Sequence, residues 1–331
     1  MYIPPFTVSS EAINLIAEIA STIERYAIRM EQSDELRLRK ANRIKTIHSS
    51  LAIEGNNLTE NQVRDIINGK NVIAPLKEIQ EVKNAIKTYE LYPTLNPFKV
   101  SDLLKAHGIM MQALTSDAGK FRTSGVGVFS EKGCVHMAPP AERVPLLIQD
   151  LFEWLAKSTD HLLIRSCVFH YEFEFIHPFS DGNGRMGRLW QSLILGKLHP
   201  LFEHLPVENM VYANQLAYYD AITESSRIAN SGPFIDFMLN EILSALKAHQ
   251  VEGTKNDGIN VGISDGINVG INEQNILTLI TNTPTITVRE MANVLGMSLR
   301  QCERLVANMK RKNLIKRIGS NKSGFWEIMN Q

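Results

Sequence analysis

The sequence predicts a mainly α-helical fold that carries one short β-hairpin and ends in a small winged helix-turn-helix unit. Apolar residues recur at helical spacing over most of the chain before the Gly/Asn-rich stretch. Strand-forming residues on both sides of Glu131-Lys132-Gly133 interrupt this pattern and predict a hairpin between Gly125 and Met137. Near the C-terminus, helical patterns followed by two strand-like runs predict the winged unit.

The helical patterns follow one another with short breaks. Two amphipathic helices are expected between Ser9 and about Glu54, where Gly55-Asn56-Asn57 supplies residues that accept the left-handed conformation at a helix end. Further patterns lie at Gln62–Ile67, Leu76–Leu91, Val100–Leu114, Val144–Ser158, Leu162–Ile176, Arg185–Leu198, Ala213–Ala229 and Phe234–Ala248.

A near-exact tandem repeat divides the chain. Its two copies, Asp257–Ser264 and Asp265–Asn272, are rich in Gly and Asn and too few to stack into a repeat core, so we interpret residues 251–273 as a linker. Residues 1–100 are then an N-terminal helical region, 101–250 the catalytic core and 274–331 the winged unit.

The winged unit has its own local signals. Three helices are expected at Ile276–Thr281, Thr287–Leu295 and Leu299–Asn313, followed by strands at Leu314–Ile318 and Phe325–Met329. Thr287 with Glu290, and Ser298 with Gln301, have the spacing of capping boxes that fix the starts of the second and third helices.

Charge and cysteine usage limit the function classes. The 331 residues hold 35 basic and 35 acidic side chains, so the whole chain has no imbalance that indicates a nucleic-acid or membrane surface. Three cysteines without metal-ligand spacing, the lack of a targeting pattern at the start and the lack of a long apolar run predict a cytoplasmic protein that does not bind a membrane.

One segment between two helical patterns carries most of the chemistry. His177-Pro-Phe-Ser-Asp-Gly-Asn-Gly-Arg-Met-Gly-Arg188 follows an apolar helix and precedes a helix that begins near Gly184. Gly182 and Gly184 let the backbone turn sharply and expose its N–H groups, and the positive end of the next helix points at the same place. These features predict a phosphate pocket.

Charged side chains complete this pocket. Arg185 and Arg188 lie three residues apart, so both guanidinium groups reach one side of it. Asp181 offers a hard oxygen ligand for a Mg²⁺ ion that bridges phosphates, and His177 is the nearby group that takes a proton at neutral pH. A plain helix-connecting turn is the alternative, but so many reactive groups within twelve residues favour a magnesium–nucleotide site.

The same segment resembles the signature of the Fic family, His-Pro-Phe-x-Asp/Glu-Gly-Asn-Gly/Lys-Arg-x-x-Arg, at every fixed position. The resemblance extends to Gly119-Lys-Phe-Arg122, Pro139-Pro140 and His170-Tyr-Glu-Phe173, and spans roughly residues 35–245. It implies a Fic-type helical core and a protein adenylyltransferase, an enzyme that moves AMP from ATP to a Ser, Thr or Tyr hydroxyl of a target protein or of itself.

The resemblance also implies roles for single residues. His177 would be the general base that deprotonates the target hydroxyl, and Asp181 the magnesium ligand. The hairpin that contains Val126, Gly127 and Val128 would be a flap that aligns the target segment by strand addition.

The other residues of the loop would hold the nucleotide. By resemblance, the α- and β-phosphates lie on Asn183, Gly184 and Arg185, and the γ-phosphate on Arg188. Tyr219 lies where members of the family often place an aromatic ring beside the adenine.

A second stretch resembles the inhibitory motif of the family, Ser/Thr-x-x-x-Glu-Gly/Asn. Ser50-Leu-Ala-Ile-Glu54-Gly55 matches it on an N-terminal helix near residues 35–54, and the Ser and Glu share a face of that helix. A Glu54 carboxylate paired with Arg188 would occupy the place of the γ-phosphate and keep ATP from a reactive pose. The sequence therefore predicts an autoinhibited enzyme.

Several alternatives stay open at this point. The chain is either an enzyme or a nucleotide-sensing transcriptional regulator that acts through the winged unit, although a sensor has no use for the base His177. The cargo is AMP or another nucleotide, some relatives with this glutamate also remove AMP, and a homodimer is an open alternative.

The C-terminal region concentrates positive charge. Residues 275–331 contain nine Lys or Arg against three Glu, a net charge of +6. We favour DNA binding through residues 274–331 over a protein-docking module because this charge excess suits a phosphate backbone.

Overall fold

The computed structural model describes residues 2–30, 35–130, 133–203, 211–254, 276–277, 279–281, 283–295, 299–311, 314–319 and 324–329. The chain divides into two compact units, Met1–Asp257 and Gly258–Gln331. The mainly helical fold predicted from the sequence is confirmed in both.

The first unit is a helical assembly with one hairpin. Its helices are α1 (Ser10–Met30), α2 (Glu35–Ile53), α3 (Glu60–Ile67), α4 (Leu76–Glu90), α5 (Val100–Met110), α6 (Val144–Lys157), α7 (Leu162–Ile176), α8 (Asn183–Gly196), α9 (Gln215–Arg227) and α10 (Gly232–Thr254). Short 3₁₀ turns lie at Tyr92–Thr94, Ala141–Arg143 and Pro200–Glu203.

Helices α7 and α8 form the centre of this unit. Residues on all sides of α7 are buried, as expected for a helix without a continuous polar face. α8 is buried at least as completely and packs along α7, with α6 and α10 beside α7. The loop between α7 and α8 is therefore fixed at both ends by the core.

The two ends of the first unit meet. α1 packs along α10, and the segment before α1 lies on the core, where the Phe6 ring contacts Trp154 edge-on and the Ser231 N–H donates to the Pro5 carbonyl at 3.0 Å. Ser9 donates to Asp236 at 2.7 Å. The predicted linker begins inside α10, which continues to Thr254, and residues 255–273 of it lie outside the described residues.

The end of α2 is tied to α4 by two amide side chains. Gly55 adopts a left-handed φ of 88°, which turns the chain out of the helix. Asn56 then donates to Glu81 at 2.8 Å, and Asn57 donates to Glu78 at 3.3 Å. Ile44, Ile47 and Leu51 anchor the apolar face of α2 in the core.

Two of the differences from the expected helix bounds follow from single backbone conformations. α5 ends at Met110 rather than Leu114, because Ala113 takes a positive φ of 60° that no right-handed helix accommodates. α8 begins at Asn183, two residues before Arg185, because Gly182 with a φ of 86° starts the turn. The predicted break between α1 and α2, at Glu31 to Ser33, lies outside the described residues.

The predicted hairpin is confirmed. Strands β1 (Gly127–Ser130) and β2 (Gly133–Met137) pair antiparallel, with Gly127 opposite Met137. The register shifts after Val128, where a bulge increases the local twist. The turn residues 131–132 lie outside the described residues.

The second unit has the outline of a winged helix-turn-helix. Helical residues at 276–277 and 279–281 precede α11 (Val288–Val294) and α12 (Leu299–Arg311), and strands β3 (Ile315–Ile318) and β4 (Phe325–Ile328) pair antiparallel. Its separate core includes Ile280, Met291, Met309 and Trp326. The indole of Trp326 donates to the Ile286 carbonyl at 2.8 Å, which satisfies its polar atom inside that core.

The first predicted capping box of this unit is confirmed. Glu290 accepts from the Thr287 N–H at 2.8 Å, and Thr287 accepts from the Glu290 N–H at 3.2 Å. Ser298, which belongs to the second predicted box, lies outside the described residues.

We expect Thr287→Ala to lower the opening free energy of α11 by about 1 kcal/mol, because the helix loses its N-cap. Hydrogen exchange of the amides of α11 in the full chain measures this change. Thr281→Ala is the matched control, since Thr281 is exposed in the same unit and donates only to the Leu277 carbonyl in the preceding turn. Equal exchange in the two variants would show that the Thr287 cap does not stabilise α11.

Candidate active site

The loop between α7 and α8 is a compact turn with a left-handed residue at each end. His177 ends α7 with φ 49° and ψ 62°, while its N–H still donates to the Phe173 carbonyl at 2.9 Å. Gly182 starts α8 with φ 86°, and a Cβ there would lie 2.7 Å from the Met111 sulfur. The left-handed conformation therefore favours glycine at position 182, and a larger residue would have to displace the Met111 side chain.

His107 holds this loop from α5. The Gly119 N–H donates to His107 Nδ1 at 2.9 Å, so the proton of a neutral ring is on Nε2, which donates to the Asp181 carbonyl at 3.0 Å. The ring also stacks on Phe179 with the centroids 3.6 Å apart. Burial lowers the pKa of His107, which favours this neutral tautomer.

Asn183 closes the loop from inside. Its side-chain oxygen accepts from the Phe179 N–H at 2.9 Å, and its amide nitrogen donates to the Phe179 carbonyl at 2.8 Å. Asn183 is buried, so both ends of this side chain are used within the protein. What Asn183 offers a phosphate is its backbone N–H in the first turn of α8.

Arg185 and Asp181 form the outer part of the pocket. The Arg185 guanidinium is buried and donates to Asp181 Oδ1 at 3.0 Å, while its other terminal nitrogen lies 4.0 Å from Glu81. Asp181 also accepts from the Gly182 N–H at 2.6 Å, and half of its side chain is exposed. A carboxylate thus lies at the open side of the loop, next to the cation.

Arg188 forms the inner part and is bound by α2. Its guanidinium donates to Glu54 at 2.7 Å, to the Ser50 carbonyl at 3.0 Å and to the Ser50 hydroxyl at 3.4 Å. The Arg188 side chain is 3% exposed and that of Glu54 30%. Burial opposes the charge on Arg188, but Glu54, Tyr218 and Glu174 together outweigh it, and the pKa of Arg188 is raised above its ordinary value.

Gly184 lets the Glu54 carboxylate approach α8. A Cβ at position 184 would overlap Glu54 Oε1 and lie 2.9 Å from a nitrogen of Arg188. The carboxylate therefore occupies the space directly above the first turn of α8, where backbone N–H groups and the helix dipole favour an anion.

His177 and Glu174 lie behind this pocket. His177 Nδ1 is 3.3 Å from the Glu174 carbonyl and 3.9 Å from its carboxyl oxygen Oε2. Burial raises the pKa of the Glu174 carboxyl to about 8, with Arg188 lowering it and Glu54 raising it. The second Glu174 oxygen, Oε1, is buried without a hydrogen-bond partner among the described residues.

Arg122 connects the loop to the hairpin. This buried side chain donates to the His177 carbonyl at 2.7 Å, to the Pro139 carbonyl at 2.5 Å and to the Ser124 carbonyl at 2.9 Å. Ser124 and Pro139 precede and follow the two strands, and the Ala138 N–H donates to the Val126 carbonyl at 3.2 Å. One guanidinium thus fixes both ends of the hairpin to the backbone of His177.

Tyr219 lies on α9 near the pocket. Its side chain is 37% exposed and hydrogen-bonds to Gln215, which in turn donates to the Ile53 carbonyl at the end of α2. Burial raises the pKa of Tyr219, and the charges of Glu54 and Arg188 both act on it. Tyr218, its neighbour, is buried and bonds to His170 at 3.1 Å.

Residues 97–195 match the family model described as Fic/DOC family. The crystal structure of a Fic family protein from Desulfovibrio desulfuricans G20 superposes with a TM-score of 0.74 and is 38% identical, over 100% of this chain and 99% of that one. The chain belongs to the Fic/DOC family.

Other Fic proteins match parts of the chain. The protein adenylyltransferase fic-1 of Caenorhabditis briggsae is 30% identical over 209 residues, which are 58% of this chain and 38% of that protein. A structure of Fic-1 from C. elegans has a TM-score of 0.59 at 19% identity, over 75% of this chain and 74% of that one, and shares the fold. This chain spans less than half the length of the curated adenylyltransferases that it matches first.

The second unit matches a different model. Residues 271–316 fit the family described as winged helix-turn-helix DNA-binding, in agreement with the helices and strands of that unit.

Among the helices that the structure describes, none combines the length and the apolar character needed to cross a bilayer.

The structure brings most of the predicted site residues together. Glu54, Ser50, Gly184 and Arg188 are in contact, and Asp181 contacts Arg185. Val126 lies at the base of the hairpin, and at Gly127 and Val128 only the backbone is described.

Three residues that contact the loop were missed from the sequence. His107, Arg122 and Glu174 carry no motif of their own, and the first two lie 74 and 55 residues from their loop partners. Only the resemblance at Gly119-Lys-Phe-Arg122 gave a signal, and it attached no role to the arginine.

We expect Asn183→Ala to lower the free energy of unfolding by about 2 kcal/mol, because it leaves two buried polar atoms of Phe179 without partners. Urea denaturation of the full chain measures this. Asn240→Ala is the control, since Asn240 is exposed and bonds only within and beside its helix. Unchanged stability together with lost nucleotide affinity would instead assign the Asn183 side chain to the ligand.

Proposed function

We propose that this Fic protein is a protein adenylyltransferase that moves AMP from ATP to a Ser, Thr or Tyr hydroxyl, and that Glu54 inhibits it. The observation that carries the proposal is the Glu54–Arg188 ion pair of 2.7 Å at the N-terminus of α8. A carboxylate at this place stands where a nucleotide phosphate would bind. The names of the matching proteins, adenylyltransferases of nematodes among them, support the same activity.

The nucleotide would lie along the first turn of α8. The backbone N–H groups at Asn183 and Gly184, the dipole of the helix and the guanidinium of Arg185 form one positive surface for the α- and β-phosphates. Arg188 would hold the γ-phosphate once Glu54 has left. Tyr219 would lie beside the adenine, which agrees with its half-exposed ring near the charges of the site.

His177 would act as the general base. Nδ1 donates to the carbonyl of Glu174, which leaves Nε2 as the basic nitrogen. The target hydroxyl gives its proton to Nε2 while its oxygen forms a bond to the α-phosphorus. The bond from that phosphorus to the diphosphate oxygen breaks, and diphosphate leaves with the electron pair.

The residues present fit a Mg²⁺ ion bound with the nucleotide. Half of the Asp181 side chain is exposed at the open side of the pocket, and a single carboxylate plus phosphate oxygens is the usual protein site for this ion. In the described residues no group of three acidic, His or Cys side chains forms a metal cage of its own. The ion would neutralise phosphate charge, and Asp181 would hold it.

The hairpin would present the target. Each strand pairs with the other on one side only within the described residues, so the opposite edge offers backbone groups to an extended segment. Arg122 fixes both ends of this flap to the backbone of His177, so a segment added at Val126–Val128 is held in register with the base. We propose a cytoplasmic protein or the chain itself as the target.

We expect Glu54→Gly to raise labelling of the chain by ATP at least about tenfold, because Arg188 becomes available to the γ-phosphate and ATP reaches a reactive pose. His177→Ala in the same background abolishes labelling. Incubation of the full chain with Mg²⁺ and each of the nucleoside triphosphates, followed by intact mass, measures the transfer and identifies the preferred nucleotide.

Glu60→Ala is the matched control for the brake. Glu60 lies on α3 and pairs with the exposed Arg64 at 3.1 Å, without a contact to the loop. Its labelling should equal that of the wild type. If Glu54→Gly labels no faster than Glu60→Ala, the inhibitory role of Glu54 is wrong.

We also propose that residues 274–331 bind DNA, and the match to a DNA-binding winged-helix model supports this. Lys310, Lys316 and Arg317 line a groove of about 360 Å³ with two apolar residues. Lys310 and Arg317 lie over the Trp326 ring at 5.0 and 4.9 Å, which holds both cations near that groove. Clustered cations of this kind favour a phosphate backbone.

We expect Lys316→Ala to weaken binding to duplex DNA equally for all sequences and to reduce the slope of log K against log salt by about 1. Lys316 is exposed on β3, so its loss leaves the core of the unit intact. Lys87→Ala, at an exposed position of α4, is the control and should leave the slope unchanged. A wild-type affinity that does not depend on salt would exclude DNA as the ligand.

A further inference from the structure

The side chain of Glu174 is placed unusually for a carboxyl group. It lies on the last turn of α7, only 12% of it is exposed, and it faces the pocket from behind. Oε2 is 3.9 Å from His177 Nδ1, and Oε1 is buried without a hydrogen-bond partner in the described part of the chain. A buried carboxyl that lacks full hydrogen bonding is costly, which points to a role in function.

The neighbouring helix leaves room for this carboxyl. Gly187 faces Glu174, and a Cβ at position 187 would lie 2.6 Å from Oε1. The same Cβ would lie 3.3 Å from the His170 ring, so the space is filled on both sides. Gly187 occupies a variable position of the loop signature. Its closeness to the Glu174 carboxyl explains why a glycine stands there.

We propose that Glu174 is the positioning residue of His177: its backbone carbonyl accepts from Nδ1 and orients the imidazole, and its carboxyl group, 3.9 Å from Nδ1, when ionised stabilises the imidazolium that forms as the target hydroxyl loses its proton. This inference rests on the proposed transferase activity. Glu174 acts through His177, so it is not itself a catalytic residue. The arrangement is a buried acid behind a histidine base, which favours the charged ring, while the backbone carbonyl of the same residue fixes the tautomer.

The charges around Glu174 connect this role to inhibition. Arg188 on α8 favours the ionised carboxyl, while Glu54 on α2 and burial disfavour it. The charge of Glu174 also acts on Tyr218 and Tyr219 of α9 and raises the pKa of both. His170, on the same helix as Glu174, stays neutral because burial lowers its pKa to about 4. Departure of Glu54 therefore removes one of the charges that disfavour the Glu174 carboxylate.

Glu172 is a matched control for this experiment. It lies on the same helix two residues earlier, is 5% exposed, and burial raises its pKa to about 7. Its carboxyl accepts from the hydroxyl of Tyr2 at 3.2 Å instead of facing His177. Glu174→Gln and Glu172→Gln thus remove the same kind of group from the same helix.

The test uses the full chain with Glu54→Gly as background. We expect Glu174→Gln to lower kcat about 10- to 100-fold with the KM for ATP changed less than about twofold, because the group affects proton transfer and not nucleotide binding. The acid limb of the pH–rate profile moves to lower pH, since a carboxylate beside the imidazole favours its charged form. Glu172→Gln leaves both unchanged.

A measurement without turnover separates this proposal from the proposed function. In NMR titrations of the His177 ring in the Glu54→Gly background without nucleotide, we expect the midpoint to fall in Glu174→Gln and not in Glu172→Gln. An unchanged midpoint in Glu174→Gln overturns the role of Glu174. An unchanged kcat in Glu174→Gln also overturns it, provided that the background variant labels normally. If no variant labels with any nucleotide, the transferase proposal fails, and the titration still decides whether Glu174 acts on His177.

Gly187→Ala tests the same contact by crowding. The added methyl displaces the carboxyl and should lower kcat as Glu174→Gln does. In a Glu174→Ala background the same methyl should have little further effect, because no carboxyl is left to displace. Equal losses from Gly187→Ala in both backgrounds would mean that the glycine acts without Glu174, and would overturn this part of the assignment.

Discussion

The Arg188 guanidinium lies almost wholly out of water, where an unpaired charge costs several kcal/mol. Its position follows from the packing of α8 against α7, which fixes the helix that carries it. Glu54 and Ser50 neutralise and bond it from α2, and Glu174 adds a second carboxyl nearby. Because this one cation must be neutralised, an N-terminal helix, a glycine at position 184 and the end of α7 all lie close to it.

The loop that faces Arg188 is rigid because distant segments hold it. His107 grips the Asp181 carbonyl from α5, Arg122 grips the His177 carbonyl from the base of the hairpin, and Asn183 fastens the turn to Phe179. A left-handed histidine costs about 1 kcal/mol or more, and these contacts stabilise it. A site that must hold a nucleotide and a base at fixed separation gains from such external support.

The sequence predicts this site well where its residues are close in the chain. The segment from His177 to Arg188 encodes its own turn, anion surface and cations, and the helix periods encode the elements around it. The sequence could not predict what the Asn183 side chain bonds to. An amide at this place in the loop has the same spacing whether it faces a ligand or the backbone of Phe179. The contacts of His107, Arg122 and Glu174 with the loop could not be predicted from the sequence, because they depend on tertiary packing that no local pattern carries.

The amide ties at the end of α2 decide how the brake can move. Ile44, Ile47 and Leu51 are buried, and Asn56 and Asn57 fasten the following turn to Glu81 and Glu78. Lifting the whole helix would break these contacts together, whereas rotating the Glu54 side chain, which is 30% exposed, breaks one ion pair. In the proposed inhibition, two anions would compete for one cation on a scaffold that stays folded, and nucleotide concentration rather than an order–disorder transition would set its strength.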